Sequence, residues 1–346
     1  MNRQLCDVLV DPMDGGTLTI ETSDEGSIVE TGRLLGRRRS YPIVKGIPRL
    51  VLTEDAGQSQ TQESFGFKWQ QVSSYDSPKM RGAAARWLID RYGFTSPQAM
   101  EQYLSAKGRV LDAGCGSAFS SSLWLSPAWA GEMWVGADIS EAIDVAQQRL
   151  AHLPHVHFVQ ADVLQLPFAP GSFDAIFSEG VLHHTPSTER AFKALVPLLR
   201  PGGELMVYIY RKKSPAREFT DDSVRAQIAG LPPAEAWEMM RPLTRLGQAL
   251  AELHVEVEVP EDVTLLGIPK GRYDVQRLIY WHFAKLFWND QYSFDENLHV
   301  NFDWYHPRYA HRHDEAELRT WCADSSLEVI HFDAQESGFT VRAVRA

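Results

Sequence analysis

The segment VLDAGCGSAFS, Val110 to Ser120, decides the fold class of this chain. Its apolar first half is typical of a buried β-strand, and Asp112 lies near the end of that strand. Gly114 and Gly116 follow where a strand would turn into a helix, and glycines there let backbone N–H groups approach a ligand closely. The turn alone does not distinguish dinucleotides, phosphates and other adenosine compounds, and some such turns bind nothing.

Short apolar runs alternate with helical segments downstream of this turn. The runs are MWVGAD, VHFVQAD, FDAIFSEG and ELMVYIY, and residues 141–150 and 188–199 between them have helical patterns. Such alternation is typical of βαβ units that build a parallel sheet. We therefore predict an α/β fold with a Rossmann-like sheet, and the end of the chain predicts a β-hairpin around residues 336–338.

Polar side chains stand at the ends of the predicted strands. Asp138 ends VGAD, Asp162 ends VHFVQAD, and Ser178 and Glu179 end the next run. Ligands of open parallel sheets bind outside the carboxyl ends of the strands, so these side chains indicate one crevice. An aspartate at the position of Asp138 can bind both hydroxyls of a ribose, although Asp138 and Asp162 could instead cap the helices that follow.

The ordered set LDAGCG, GADIS, QADVLQLPF, FDAIFSEGVLHHTP and LLRPGGELMVYIY resembles the class I S-adenosylmethionine (SAM)-dependent methyltransferases of the small-molecule type. The motifs cover roughly residues 105–212. The resemblance implies a seven-stranded sheet, SAM as the cofactor, and a turn at Asp112, Gly114 and Gly116 that holds the methionine part of SAM. Ala118 stands where the family has its usual third glycine, and the short AGCG turn disfavours NAD.

The same resemblance implies the remaining cofactor contacts. Asp138 would bind the ribose, Ile139 would pack on the adenine, and Asp162 with Val163 would contact the adenine edge. Ser178 is expected in the same site. Ile139 has a second interpretation as an ordinary core residue.

Three side chains near the crevice mouth are catalytic candidates: Glu179, His184 and Tyr208. Methyl transfer from a sulfonium is an in-line displacement, for which a protein supplies positioning, exclusion of water and sometimes removal of a proton. His184 is attractive as the base because histidine titrates near neutral pH. The alternative is structural, since LHH is common in the family as a helix-turn element.

The chain divides into five expected segments. Residues 53–62 are polar and non-periodic, which is typical of a linker. In order, we predict a β-rich module (1–52), a linker with N-terminal helices that cap the site (53–107), the SAM-binding core (108–214), a helical insertion that forms the substrate pocket or lid (215–300), and a C-terminal helix and β-hairpin (301–346).

The first 52 residues resemble the small zinc-ribbon-like module of the Trm112 type, through LVDP and YPIVKGIPRLV. That module normally carries two Cys-x-x-Cys pairs, but Asp11, Asp14, Leu34 and Arg37 stand at those positions here. We therefore predict a metal-free structural module and no metal site.

Two other segments have competing interpretations. LIYWHFAKLFW, residues 278–288, is expected to provide core or lid packing rather than a stacking platform for a base. Four histidines near the C-terminus are expected in a solvated loop that covers the crevice, rather than in a metal cluster: His299, His306, His311 and His313.

Composition narrows the class of protein. The 346 residues carry 34 basic and 45 acidic side chains, a net charge of −11, which argues against a broad nucleic-acid footprint. An apolar run of about 18 residues, as a membrane span needs, is absent from the sequence. Three scattered cysteines and no signal peptide favour the cytoplasm. The expected partner is a small molecule of specialised metabolism, neither nucleic acid nor membrane, and the oligomeric state stays open.

Two rival functions remain at this point. The protein could consume SAM without methylating, by aminocarboxypropyl transfer or by cyclisation that releases methylthioadenosine. It could also be a non-catalytic scaffold with a SAM fold, although intact nucleotide motifs at Asp112 and Asp138 argue against a degenerate module.

Overall fold

The computed structural model describes residues 1–52 and 55–346; Thr53 and Glu54, part of the predicted linker, lie outside this part. The strands are β1 Thr19–Glu21, β2 Thr31–Leu35, β3 Ser40–Val44, β4 Ile47–Pro48, β5 Arg109–Ala113, β6 Met133–Asp138, β7 Val156–Gln160, β8 Phe173–Glu179, β9 Leu199–Tyr210, β10 Glu256–Val259, β11 Gly271–Asp274, β12 Leu327–Ala334 and β13 Gly338–Arg345. The helices are α1 Ala56–Gln70, α2 Pro78–Arg91, α3 Pro97–Ser105, α4 Ser121–Trp124, α5 Ala142–Leu150, α6 Thr188–Leu195, α7 Pro215–Ile228, α8 Pro233–Glu252, α9 Val275–His282, α10 Phe294–Tyr305 and α11 Glu315–Asp324.

Seven strands form one sheet in the order β12-β13-β9-β8-β5-β6-β7. The pairs β5–β6, β6–β7, β5–β8 and β8–β9 are parallel, whereas β13 runs antiparallel to β9 and to β12. The central strands are buried on both faces, as near-continuous apolar runs predict. The α/β class, the Rossmann-like sheet and the C-terminal β-hairpin are therefore confirmed.

A second, antiparallel sheet of β1 to β4 confirms the β-rich N-terminal module. The module lies against β7, the edge strand of the large sheet: the Leu50 amide donates to the Gln160 carbonyl at 2.8 Å, and the Val10 amide donates to Pro167 at 3.0 Å. Apolar side chains of the module join the same buried cluster as the core strands. The module therefore covers an edge that would otherwise expose unpaired backbone groups.

The linker prediction is wrong for residues 56–62, which begin α1. Asp55 caps this helix by accepting a hydrogen bond from the amide of Gln58. Gln58 and Thr61 are each only 4% exposed, and α1 packs against α5. Polar composition predicts exposure to water, but Gln58 instead faces the core, where its Nε2 donates to Asp162 at 2.8 Å.

The insertion contains α7, α8 and α9 with a small β10–β11 hairpin, and α10 continues it across the expected boundary at residue 300. A buried carboxylate ties α10 to α7. Asp221 pairs with Arg217 at 2.7 Å, and it accepts hydrogen bonds from Trp304 Nε1 at 2.7 Å and the Tyr305 hydroxyl at 2.8 Å. Among the described helices, none combines the length and apolar character that crossing a bilayer requires.

Candidate functional site

A cavity of about 440 Å³ opens at the carboxyl ends of β5, β6, β8 and β9. This size lies within the range of small-molecule sites. The core contributes Asp112, Gly114, Asp138, Ile139, Val163 and Glu179 to its wall. The insertion and α10 contribute Tyr280, Trp281, Lys285, Phe287, Asp303 and Trp304. Two separate parts of the chain thus enclose one space.

The turn after β5 requires its glycines. Gly114 has φ +83°, and a Cβ there would overlap the side chain of Val181. Gly116 has φ +54°, and a Cβ there would lie 2.6 Å from Trp69 Nε1. Ala118, at the position of the family's third glycine, also has a positive φ of 55°, which is unusual for a residue with a Cβ. The turn therefore keeps its shape despite the substitution.

Asp138 lies half-buried at the end of β6 and lines the cavity. Its carboxylate accepts hydrogen bonds from the Gly116 amide at 2.8 Å, the Ser140 amide at 2.8 Å and the Ser140 hydroxyl at 2.6 Å. A carboxylate has about four acceptor positions, so at least one remains for a ligand hydroxyl. These bonds also fix the carboxylate against the glycine turn.

Asp112 is a second acid of the same wall. It is buried, and it accepts a hydrogen bond from the Ser121 hydroxyl. Burial raises the pKa of Asp112 to about 7, and the nearby charge of Asp138 acts in the same direction. Burial also raises the pKa of Asp138. A positively charged group in this part of the cavity would stabilise both carboxylates. Two carboxylate acceptors fit SAM, which carries a sulfonium, an ammonium and a ribose.

Asp162 and Ser178 stand behind the wall; neither belongs to the cavity-lining residues in the described ranges. Asp162 accepts hydrogen bonds from the Leu164 amide at 2.9 Å and from Gln58 Nε2 at 2.8 Å. Ser178 is 0% exposed, and its hydroxyl donates to the Ala113 carbonyl at 2.9 Å. In this geometry they hold neighbouring wall residues in place, and their direct contact with the cofactor stays a prediction.

Glu179, one catalytic candidate, is held by two neighbours. The Tyr92 hydroxyl donates to it at 2.6 Å, and Arg91 forms an ion pair with it. The Arg91 guanidinium lies between the rings of Trp87 and Tyr208, 3.7 and 3.8 Å from their centroids. Tyr208, also a candidate, therefore presents its ring to a cation that fixes Glu179. Both side chains line the cavity.

His184 also lines the cavity. Its Nδ1 lies 2.6 Å from the Tyr309 carbonyl oxygen, while its buried Nε2 has no hydrogen-bond partner in the described part of the chain. Burial lowers the pKa of His184 to about 4, so the imidazole is neutral at pH 7. The three catalytic candidates thus surround one cavity, and His184 offers the free proton acceptor.

Functional candidates that the sequence did not single out meet across this space. Lys68 of α1 and Asp303 of α10 form an ion pair at 2.6 Å. Burial tends to raise the pKa of Asp303, but nearby basic groups, Lys68 first among them and Lys285 also, together lower it to about 2. Tyr280 and Trp281, expected only as core or lid packing, face the cavity. In the sequence, one feature indicates these candidates: a lysine stands between aromatic residues in ESFGFKWQQ and again in LIYWHFAKLFW.

The expectation of a solvated loop is wrong for two of the four histidines. His299 lies within α10 and is 5% exposed, with Nδ1 2.8 Å from the Ser74 hydroxyl. His306 caps the same helix and contacts the Ser64 hydroxyl at 2.8 Å. The described residues contain no group of three or more histidine, cysteine or acidic side chains that could hold a metal ion. These histidines connect α10 to the N-terminal helices.

Comparisons with known proteins agree on the central segment. Residues 111–207 match the family model described as a methyltransferase domain. A tRNA U34 carboxymethyltransferase of Pseudoalteromonas atlantica is 39% identical over 101 residues, 28% of this chain and 30% of that protein. The phthiotriol/phenolphthiotriol dimycocerosates methyltransferase 1 of Mycobacterium ulcerans is 33% identical over 129 residues, 37% of this chain and 45% of that protein. The chain thus spans less than half the length of these relatives.

A solved structure, magnesium protoporphyrin IX methyltransferase from Synechocystis with bound SAM, aligns with 86% of this chain and 100% of its own, at 15% identity and a TM-score of 0.44. With the family match, the sheet order and the glycine turn, the central segment is a methyltransferase domain of the SAM-dependent class. SAM is accordingly the cofactor of this domain.

Proposed function

We propose that the protein transfers the methyl group of SAM to a small-molecule acceptor. One observation carries this proposal: the cavity at the carboxyl ends of the core strands is the same cavity that the insertion lines with Tyr280, Trp281 and Trp304. A space enclosed on two sides accommodates a small acceptor beside the cofactor and keeps water away from the reacting atoms. A macromolecule would need a more open approach.

Each residue of the wall has a role in this proposal. When bound, SAM supplies a methyl group on a positively charged sulfur. The Gly114 and Gly116 turn admits the cofactor at close range, Asp138 accepts a ribose hydroxyl, and Asp112 stabilises the positive charge. His184 accepts the acceptor's proton at Nε2. Arg91, through its contacts with Glu179 and Tyr208, keeps the shape of the wall.

Incubation of the pure protein with SAM, with and without a library of small acceptors, tests the reaction by mass spectrometry of the products. S-adenosylhomocysteine that appears only with an acceptor supports methyl transfer. Methylthioadenosine would instead establish aminocarboxypropyl transfer or cyclisation, and no turnover would favour the scaffold. Asp138→Ala is the control, because its loss of SAM binding should abolish every product.

A parallel incubation with purified total tRNA tests the acceptor class, since one relative is named a tRNA carboxymethyltransferase. We expect no label from methyl-labelled SAM in the tRNA, because the acceptor side of the cavity is enclosed by α9 and α10. Labelled tRNA would overturn the small-molecule proposal and leave the SAM-dependent domain intact.

For residues 1–52 we propose a structural role as a metal-free relative of the Trm112 type. The buried Asp11, at a predicted ligand position, accepts hydrogen bonds from the Tyr41 hydroxyl at 2.6 Å and from the Met13 amide at 2.9 Å. Leu34 is fully buried in the cluster shared with the core. These contacts support the module without an ion.

A further inference from the structure

Lys285 places a buried amino group in the wall that the insertion contributes to the cavity. Only 6% of its surface is exposed, and it lines the same space as His184. The backbone amide of Lys285 donates a hydrogen bond to the Tyr305 hydroxyl at 2.9 Å. This bond fixes the position of the backbone at Lys285. Its Nζ lies 4.5 Å from the centroid of the Trp304 ring.

The acids around Lys285 are paired with other cations. Asp303 pairs with Lys68 at 2.6 Å, and Asp221 pairs with Arg217 at 2.7 Å. In the described ranges, 1–52 and 55–346, Lys285 Nζ forms neither a hydrogen bond nor an ion pair. The charges of Asp303 and Asp221 act on Lys285 only from beyond ion-pair distance. The wall therefore presents an amino group that is free to pair with a ligand.

Lys213 provides a second amino group at the wall of the cavity. It lines the cavity, and its Nζ donates to the backbone carbonyls of Glu336 and Ser337, the latter at 3.0 Å. No carboxylate of the described residues lies within ion-pair distance of it. Burial lowers the pKa of both Lys213 and Lys285 to about 7. An anionic ligand would favour the charged form of each and offset the cost of its burial.

Aromatic rings surround these amines: Tyr280, Trp281, Phe287 and Trp304. We propose, building on the proposed function, that the methyl acceptor is an aromatic carboxylate whose ring packs among these side chains and whose carboxylate pairs with Lys285. Glu179 and Asp303 line the same cavity but are already paired with Arg91 and Lys68, so Lys285 is left to pair with an anion. A carboxylate on a flat ring matches both this amino group and the apolar wall.

Isothermal titration of protein saturated with S-adenosylhomocysteine tests this assignment without turnover. The probes are 4-hydroxybenzoate and 4-hydroxybenzamide, which have similar shapes but differ in charge. We expect the acid to bind about 10-fold more tightly than the amide, because it gains a charge-assisted contact. In Lys285→Met, which keeps the apolar stem, this preference should fall to about 2-fold or less. Lys270→Met, at an exposed lysine of the same insertion, is the control and should retain it.

Equal binding of acid and amide to the wild-type protein, or no binding of the acid, would overturn the proposal even if the variant failed to fold. Retention of the preference in Lys285→Met would also overturn it. A parallel titration with S-adenosylhomocysteine should give the same affinity in wild type and variant. A large loss of S-adenosylhomocysteine affinity in Lys285→Met would instead indicate that Lys285 contacts the cofactor, which would also overturn the proposal. Failure of the wild-type protein to bind S-adenosylhomocysteine would contradict the proposed function itself.

Discussion

Nδ1 of His184 lies 2.6 Å from the carbonyl oxygen of Tyr309. A carbonyl oxygen can only accept a hydrogen bond, so Nδ1 carries the proton and Nε2 carries the lone pair. Nε2 is buried and unpaired among the described residues, and His184 lines the cavity. The segment around residue 309 therefore sets the tautomer of a side chain that β8 and its following turn bring to the site.

We expect His184→Asn to lower kcat by about 100-fold or more, the usual contribution of a general base. The asparagine amide can still donate to the Tyr309 carbonyl, but it has no counterpart of Nε2. Affinity for SAM should change by less than about 3-fold. Because burial lowers the pKa of His184 to about 4, protonation of this base should depress wild-type activity only near pH 4, not near 6.5. An unchanged kcat in the variant would assign His184 a structural role.

Gly114→Ala should weaken SAM binding by more than about 10-fold, because the new Cβ overlaps Val181 at the cofactor turn. Gly171→Ala is the matched control: Gly171 has a similar φ of +69°, but no atom lies within 4 Å of the added Cβ. Both variants share the strain of a positive φ, so Gly171→Ala, outside the cavity-lining residues of the described ranges, shows how far such strain alone affects the protein. Titration with SAM and thermal melting compare the two variants, and equal affinities would contradict the assignment of this turn.

Affinity for SAM should rise up to about 10-fold between pH 6 and pH 8, because Asp112, with a pKa of about 7, ionises in this range and attracts the positively charged ligand. Asp112→Asn should have a flat profile of SAM affinity against pH in titration calorimetry.

The raised pKa of Asp112 also affects the stability of the folded protein. Since the pKa of Asp112 is raised above its unfolded value of about 4, ionisation destabilises the folded protein as pH rises from about 4 to 7. The Tm of Asp112→Asn should therefore rise relative to that of the wild type over that window. Parallel Tm profiles of the two proteins would contradict the raised pKa of Asp112.

Tyr41→Phe should lower the free energy of unfolding by about 1.5–3 kcal/mol, the range for a hydrogen bond to a charged group. The lost hydroxyl donates to the buried Asp11 at 2.6 Å. Tyr273→Phe removes an exposed hydroxyl that donates to the Pro269 carbonyl at 2.8 Å, and it should cost much less. Urea unfolding measures both variants.

A chelator provides an independent check on the same module. Ethylenediaminetetraacetate should leave the wild-type Tm unchanged, because hydrogen bonds of Asp11 and apolar packing of Leu34 support these positions. A drop in Tm would indicate a bound ion and contradict the metal-free module.

Local patterns in the sequence were sufficient to predict the α/β sheet, the glycine turn and the C-terminal β-hairpin. Each depends on neighbours in the chain: apolar runs alternate with helical segments, and the left-handed conformations of Gly114 and Gly116 follow from a tight turn. The linker prediction failed at residues 56–62 because polar composition does not reveal that Gln58 faces Asp162 across 2.8 Å. The histidines of α10 were misplaced for the same reason.

The cavity needed the tertiary structure. Lys68 and Asp303 are distant in sequence, and only the packing of α1 against α10 brings them to 2.6 Å. The same packing leaves Lys285 unpaired in the described chain and leaves one nitrogen of His184 free. Residue types by themselves were enough to predict where a cofactor with a ribose would lie, because short spacings and strand ends are local. Which charged groups stay unpaired, and so available to a methyl acceptor, depends on how carboxylates and cations that are distant in sequence pair with one another. This pairing is a property of the folded chain alone.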